Sequence, residues 1–186
     1  MVVLADRFVL HSDGATTRKN LAALAVAWPA IRAQVPDVEL VLCGSPHPTR
    51  DRLFAGLGGV HLMGHLARDA QIELIRAATV VVVPSTYEGF GLPALEAMAA
   101  GTAVVAARCA ALPEVCGDAA LLCAPDAAAL ATAIVAVLGH DGLRQRLEGD
   151  GQRHAAGFTW DRSARRHAEI FQAALENRGP SNRGLS

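Results

Sequence analysis

The chain has little charge and no long apolar run, and each of these shortages excludes a class of protein. It also contains one lysine. Charged residues make up 19% of the 186 residues and the formal net charge is −1, so a nucleic-acid-binding surface is not expected. Apolar residues make up 52%, which excludes an intrinsically disordered chain. The apolar run at 78–84 ends at a proline, well short of the roughly 18 residues that a membrane span needs. The N-terminus has no basic region before a long apolar stretch, so no signal peptide is expected.

Several motifs are missing as well. The four cysteines form no C-x-x-C pair and lie in or beside apolar segments, which favours reduced, buried thiols in a cytoplasmic protein. They are Cys43, Cys109, Cys116 and Cys123. No G-x-G-x-x-G dinucleotide fingerprint and no Ser/His/Asp arrangement occurs. His61 and His65 are four residues apart but straddle a strand end, so we predict no metal site.

Short apolar runs alternate with helical patterns along most of the chain. The predicted strands lie at 7–12, 38–44, 59–64, 79–84, 102–107 and 120–125. The predicted helices lie at 19–34 (kinked or interrupted by Pro29), 49–57, 69–78, 93–100, 126–138, 141–155 and 161–176. Strands that are apolar throughout and alternate with helices are typical of a parallel sheet covered on both faces. We therefore predict a doubly wound, Rossmann-like α/β domain over residues 1–176 and a disordered tail at 177–186. Phe54, Met63 and Trp160 are expected to be core residues.

Ligands of such sheets bind in the loops after the strands, and the loop at 84–92 carries two carboxylates, Glu88 and Glu96, around a helix start. The glycines beside Phe90 permit close approach of a ligand, and the amides of Phe90, Gly91 and Leu92 precede the helix, where its dipole favours an anion such as phosphate. The carboxylates are suited to accept hydrogen bonds from sugar hydroxyls on either side of that anion. The alternative is that both glutamates merely favour a helix N-terminus through the dipole.

The loop at 11–20 strengthens the ligand hypothesis. Gly14 permits a tight turn and is a candidate ligand-binding residue, and the Thr16/Thr17 pair is expected to cap the next helix. Arg18 and Lys19 lie at the helix start, where the dipole disfavours cations, and a shared anion would explain them. Lys19 is the only lysine among 17 basic residues, which favours a point charge directed at phosphate.

With these residues identified, the segment 84-PSTYEGFGLPALEAMAAGTAVVAA-107 resembles the signature of retaining glycosyltransferases of family four, which have the GT-B architecture of two Rossmann-like domains. The hallmark of that family is two glutamates separated by seven residues, and Glu88 and Glu96 match it. Further similarity lies in 18-RKN-20, 41-VLCGSP-46, 61-HLMGHL-66, 112-LPEVCGDAALLCAPDA-127 and 157-GFTWDRSA-164. The resemblance spans about residues 8–176 and covers only the C-terminal, donor-binding half of such enzymes.

The resemblance implies a role for each matching residue. Glu96 would bind the donor ribose, and Glu88 would contact the transferred sugar near the reacting centre. The amides of Phe90, Gly91 and Leu92 would hold sugar hydroxyls and diphosphate. The remaining implied contacts are Arg18 and Lys19 to the leaving diphosphate and Gly64 and His65 to the nucleobase. Glu88, Lys19 and Arg18 are therefore the implied catalytic residues. No cofactor or catalytic metal is implied, and the donor would be a UDP-sugar or a GDP-sugar.

Two departures from the family pattern limit these expectations. Many relatives have a glycine-rich strand end followed by arginine where this chain reads 10-LHSDGATTR-18, so either Arg18 supplies that charge or the charge comes from elsewhere. No segment corresponds to the acceptor-binding N-terminal domain, so we expect this chain alone to be inactive, and any peripheral membrane association would run through that domain. The alternative interpretations, in order of preference, are a non-catalytic nucleotide-sugar-binding module that pairs with a separate chain, a GT-B nucleotide-sugar epimerase fragment and a nicotinamide dehydrogenase.

Overall fold

The computed structural model describes residues 5–176, and its centre is a six-stranded sheet. The strands are β1 (Phe8–Ser12), β2 (Glu39–Cys43), β3 (Val60–Leu62), β4 (Val80–Val83), β5 (Val104–Ala107) and β6 (Leu121–Cys123). All neighbouring strands pair in parallel, in the order β3-β2-β1-β4-β5-β6. This is the strand order of a doubly wound Rossmann fold, so the predicted fold class is confirmed.

Helices follow the strands as the alternating pattern predicted. They are α1 (Leu21–Gln34), α2 (Pro48–Phe54), α3 (Arg68–Ala77), α4 (Leu92–Ala100), α5 (Leu112–Cys116), α6 (Ala127–Gly139), α7 (Asp141–Ala155) and α8 (Trp160–Glu176). The first helix begins at Leu21 rather than at residue 19, because Thr17–Lys19 forms a separate 3₁₀ turn and Asn20 adopts a left-handed conformation between them. Pro29 lies inside α1 without interrupting it, and its neighbours Trp28 and Ile31 are buried. Packing therefore outweighs the one hydrogen bond that proline removes.

The core has two layers, one on each face of the sheet, because successive strand side chains point to opposite faces. On β4, Val80 and Val82 join the layer that contains Trp28, whereas Val81 and Val83 join the layer that contains Met98. Every residue of β4 is thus buried, as expected for a central strand of a covered parallel sheet.

The four cysteines are free, and the prediction that they are buried holds for two of them. Cys43 and Cys116 are buried, while Cys109 and Cys123 are half-buried. Burial raises the pKa of Cys43, Cys116 and Cys123 to about 11.

The chain divides into two compact units, Met1–Ala155 and Ala156–Ser186. The described part of the second unit consists mainly of α8, in which no residue is buried. Trp160 is 89% exposed, so the expectation that it is a core residue is wrong. The predicted domain boundary at residue 176 stays a prediction, and the predicted disordered tail lies outside the described residues. Within 5–176 no single helix is long and apolar enough to cross a membrane, and only the pair α6–α7, bent by 98°, passes that test of length and composition.

The strand order fixes where a ligand site is to be sought. The chain adds β2 and β3 on one side of β1, then crosses to place β4 on the other side. Val9 pairs with Val80 and Leu10 with Val81, so the carboxyl ends of β1 and β4 lie side by side. In open α/β sheets the ligand crevice lies at this reversal of strand order. The two loops singled out from the sequence follow these two strands.

Candidate functional site

The loops after β1 and β4 are in direct contact. The amide of Thr86 donates to the carbonyl of Arg18 at 2.8 Å. The side-chain amide of Asn20 donates to the carbonyl of Pro84 at 3.0 Å and to that of Pro125, after β6, at 2.8 Å. Three strand-end loops are therefore joined around one residue, and the predicted meeting of the two loops is confirmed.

Lys19 lies at the centre of this junction and is only 4% exposed. Its Nζ is 2.6 Å from Glu88 Oε1, and it also forms an ion pair with Asp13. A buried ammonium without a partner would be very costly, and these two carboxylates offset the cost of removing it from water. Thr16 and Thr17 make no side-chain cap for the following helix, contrary to expectation. The conformation of the loop is instead set by the side-chain bonds of Lys19 and Asn20.

Glu88 is 5% exposed and both of its oxygens have donors. Oε1 accepts from Lys19 and from the Ser85 hydroxyl at 2.7 Å, and Oε2 lies 3.3 Å from Arg18 Nη1. The structure thus brings together all three residues predicted to be catalytic: Arg18, Lys19 and Glu88. Glu88 pairs with both basic residues. A carboxylate that only interacts with a helix dipole would need neither of these pairs.

The start of α4 borders this cluster. Gly91 is the N-cap of α4 and has a φ of 98°, a conformation that favours glycine. A Cβ at Gly91 would lie 2.7 Å from Leu112 Cδ2, so a larger residue would also require the buried Leu112 side chain to shift. Phe90 and Leu92 flank it and are 44% and 56% exposed. Pro93 has no N–H and the Ala94 amide donates to the Gly91 carbonyl at 3.1 Å, so the amides of Gly91 and Leu92 are those suited to bind an anion or a hydroxyl oxygen at this end of α4.

Glu96 lies on the second turn of α4, and its ion-pair partner is Arg68 at the start of α3, at 2.7 Å. Both side chains are partly accessible, with 28% of Glu96 and 66% of Arg68 exposed. Glu88 and Glu96 therefore occupy different environments. Glu88 is buried between the two loops, and Glu96 is partly accessible to solvent.

A cleft of about 430 Å³ lies beside the cluster, at the carboxyl ends of β1 and β2. Its lining residues are Ser12, Asp13, Gly14, Ala15, Thr16, Cys43, Gly44, Ser45, Pro46, His47, His65, Leu66 and Gln71. Two predicted ligand residues, Gly14 and His65, lie in this wall, and the carbonyl of Gly64 next to it accepts from the Gly44 amide at 3.3 Å. Asp13 belongs both to the wall and to the Lys19 cluster, so it joins the two parts of the candidate site.

Sequence reasoning missed three polar residues at the end of β1: His11, Ser12 and Asp13. His11 Nδ1 lies 3.2 Å from the Val82 carbonyl, which assigns the proton to Nδ1, and the buried Nε2 has no hydrogen-bond partner. Burial lowers the pKa of His11. The buried hydroxyl of Ser12 has no partner either. Their position at the end of a predicted strand was the available signal, and the burial of His11 and Ser12 was not visible in the sequence.

Among residues 5–176 no group of three or more His, Cys, Asp or Glu side chains is arranged to hold a metal ion. The polar groups of the site are instead dominated by the charges of Arg18, Lys19, Asp13 and Glu88. Such a set can bind anions and hydroxyl groups directly.

Comparison with known proteins gives a consistent result. The family model described as Glycosyl transferases group 1 matches residues 7–140. The chain is 36% identical over 183 residues to the MMP alpha-(1->4)-mannosyltransferase of Mycolicibacterium hassiacum, covering 91% of this chain and 44% of that protein. It is 35% identical over 178 residues to the D-inositol 3-phosphate glycosyltransferase of Salinispora arenicola, covering 89% of this chain and 39% of that protein. The chain thus spans less than half the length of these curated relatives.

Comparison with solved structures points to the same family. A sucrose-phosphate synthase from Thermosynechococcus elongatus superposes with a TM-score of 0.76 at 29% identity, covering 92% of this chain and 46% of that chain. The C-terminal domain of a glycosyl transferase group 1 family protein from Francisella tularensis gives a TM-score of 0.72 at 25% identity, covering 83% of this chain and 87% of that domain. The fold is therefore that of a GT-B C-terminal domain, as predicted. The chain belongs to the glycosyl transferases group 1 family.

Proposed function

We propose that this chain binds a nucleoside-diphosphate sugar and supplies the donor half of a retaining hexosyltransferase. The observation that carries this proposal is the cluster of Arg18, Lys19 and Glu88 at the reversal of strand order, next to the start of α4. Two cations, a helix N-terminus and a carboxylate at one crevice suit a ligand that has a diphosphate beside sugar hydroxyls.

The diphosphate is assigned to Arg18, Lys19 and the first amides of α4. As the bond from sugar to phosphate breaks, negative charge grows on the leaving diphosphate, and cations already in place stabilise it without reorganisation. Arg18 has 49% of its side chain exposed and can turn toward a ligand, whereas Lys19 is fixed by its two carboxylates. In the proposed reaction Arg18 and Lys19 take the place that a metal ion has in other phosphate sites, so no added metal is assigned to it.

The two glutamates are assigned to opposite ends of the donor. Glu88 is held by Lys19 and Ser85 in a fixed position, which suits contact with the transferred sugar beside the diphosphate. Glu96 is more accessible and can accept from the two ribose hydroxyls. The nucleobase is assigned to the 430 Å³ cleft, next to Gly64 and His65, with Gly14 on the diphosphate side. Both UDP-sugars and GDP-sugars are candidate donors.

The acceptor is assigned to a second domain, because the chain matches less than half of its curated relatives. Without that domain water has access to the donor, so we expect the isolated chain to bind donor but to transfer little or no sugar. Any contact with a membrane is assigned to the second domain as well, and a cytoplasmic location is proposed from the reduced thiols. A second candidate is a non-catalytic binding module that pairs with a separate chain. The exposed apolar residues of α8, Trp160 and Phe171 among them, favour it.

Titration calorimetry with UDP, GDP and their sugars tests donor binding. We expect saturable binding of one nucleotide class and a loss of at least about tenfold in affinity for Lys19→Ala and for Glu96→Ala, which is about 1.4 kcal/mol. Glu73→Ala is the matched control, because Glu73 pairs with Arg76 at 2.7 Å on α3 as Glu96 pairs with Arg68. Unchanged affinity in both site variants would exclude the assigned roles.

A further inference from the structure

Asp13 uses the groups that the proposed function assigns to the ligand. One of its oxygens accepts from the Gly14 amide at 2.6 Å, and the other forms the ion pair with Lys19. A backbone amide beside a glycine and an ammonium form a typical phosphate-binding pair. The Asp13 carboxylate is an anion held by such a pair within its own chain.

The position of Asp13 shows which ligand it would meet. Its side chain is 26% exposed and lines the 430 Å³ cleft, whereas the Lys19 side chain is 5% exposed. A ligand that enters the cleft therefore meets Asp13 before it reaches the ammonium. The buried hydroxyl of Ser12, which has no partner, lies in the same wall.

Asp13 is also not needed to neutralise the buried pair of Lys19 and Glu88. Glu88, 2.6 Å from Lys19, already neutralises the ammonium where both are buried. With Arg18 included, two cations face two carboxylates, and the four charges sum to zero. Without Asp13 the same cluster would carry one net positive charge next to the cleft, which attracts a diphosphate.

We infer that the Asp13 carboxylate is an internal competitor of the donor diphosphate: it occupies Lys19 and the Gly14 amide in the ligand-free protein, and a phosphate group displaces it. This inference rests on the proposed function and adds a residue that lowers affinity for the donor and speeds release of the nucleoside diphosphate. Removal of this carboxylate strengthens binding, whereas loss of a residue with a purely structural role does not.

The test uses Asp13→Asn, which keeps the shape and removes the charge, and Asp13→Ala, which removes the competing group. Asp118→Asn is the control for net charge, because Asp118 is exposed between α5 and β6, at the opposite end of the sheet from the cleft. Calorimetry with UDP, GDP and inorganic diphosphate at one fixed salt concentration should show about tenfold tighter binding for both Asp13 variants, since one unit charge near the anion is removed. The control should equal the wild type.

The outcomes separate the two proposals. If the wild type binds a nucleotide and folded Asp13 variants bind it equally or more weakly, the inference about Asp13 is overturned while donor binding stands. If only inorganic diphosphate binds, and binds more tightly to the Asp13 variants, the inference stands and the nucleotide assignment fails. If no variant binds any of the three probes, both proposals are overturned.

Discussion

Replacing Lys19 by methionine removes one partner of the buried pair with Glu88 and should destabilise the fold. Loss of one member of a buried ion pair costs about 3–5 kcal/mol, because the other charge stays buried. Here the Ser85 hydroxyl and Arg18 still serve Glu88, at 2.7 and 3.3 Å, so we expect the lower end, about 3 kcal/mol. Adding Glu88→Gln to Lys19→Met removes the uncompensated charge and should recover at least about 1 kcal/mol.

Urea unfolding followed by circular dichroism measures these changes, and urea leaves ionic strength unchanged. The control is Arg76→Met, which breaks the exposed pair with Glu73 and should cost no more than about 1 kcal/mol. Additive effects of Lys19→Met and Glu88→Gln, to within about 0.5 kcal/mol, would show that the pair is not coupled and would refute the reasoning.

Three further predictions concern the ends of the strands. Burial lowers the pKa of His11, so below about pH 6.5 the unfolded chain binds more protons than the folded one. The unfolding free energy should therefore fall as the pH drops below that value. His11→Phe should flatten this slope in urea titrations from about pH 5 to 8. Ala110 has a φ of 45°, so Ala110→Gly should raise stability by about 0.5–1 kcal/mol, whereas Ala111→Gly, at a φ of −75°, should lower it; equal signs would contradict this. Gly91→Ala should cost at least about 1 kcal/mol because of its φ of 98° and the contact with Leu112, and an unchanged melting temperature would exclude that strain.

The sheet could be predicted because its signal is local. Each strand is a short apolar run, and the alternation with helices leaves few arrangements for a parallel sheet. The run at 79–84 became β4, with every residue buried. The two site loops could also be found, since both follow strands whose carboxyl ends lie at the reversal of strand order.

The predictions that were wrong or incomplete depend on contacts between residues that are far apart in the sequence. Asn20 separates the 3₁₀ turn from α1 because its side chain bonds to Pro84 and Pro125, 64 and 105 residues away. The role of Asp13 in holding Lys19 depends on how the loop folds back, which composition does not reveal. Trp160 suggested a core residue by type, but α8 places it in an exposed position.

A crystal structure of the chain with a bound nucleoside diphosphate tests the central claim most directly. The account predicts a phosphate oxygen within about 3 Å of Lys19 Nζ, with the Asp13 carboxylate displaced, and ribose hydroxyls within hydrogen-bond distance of Glu96. A nucleotide bound elsewhere, with Lys19 still paired to both Asp13 and Glu88, would contradict it.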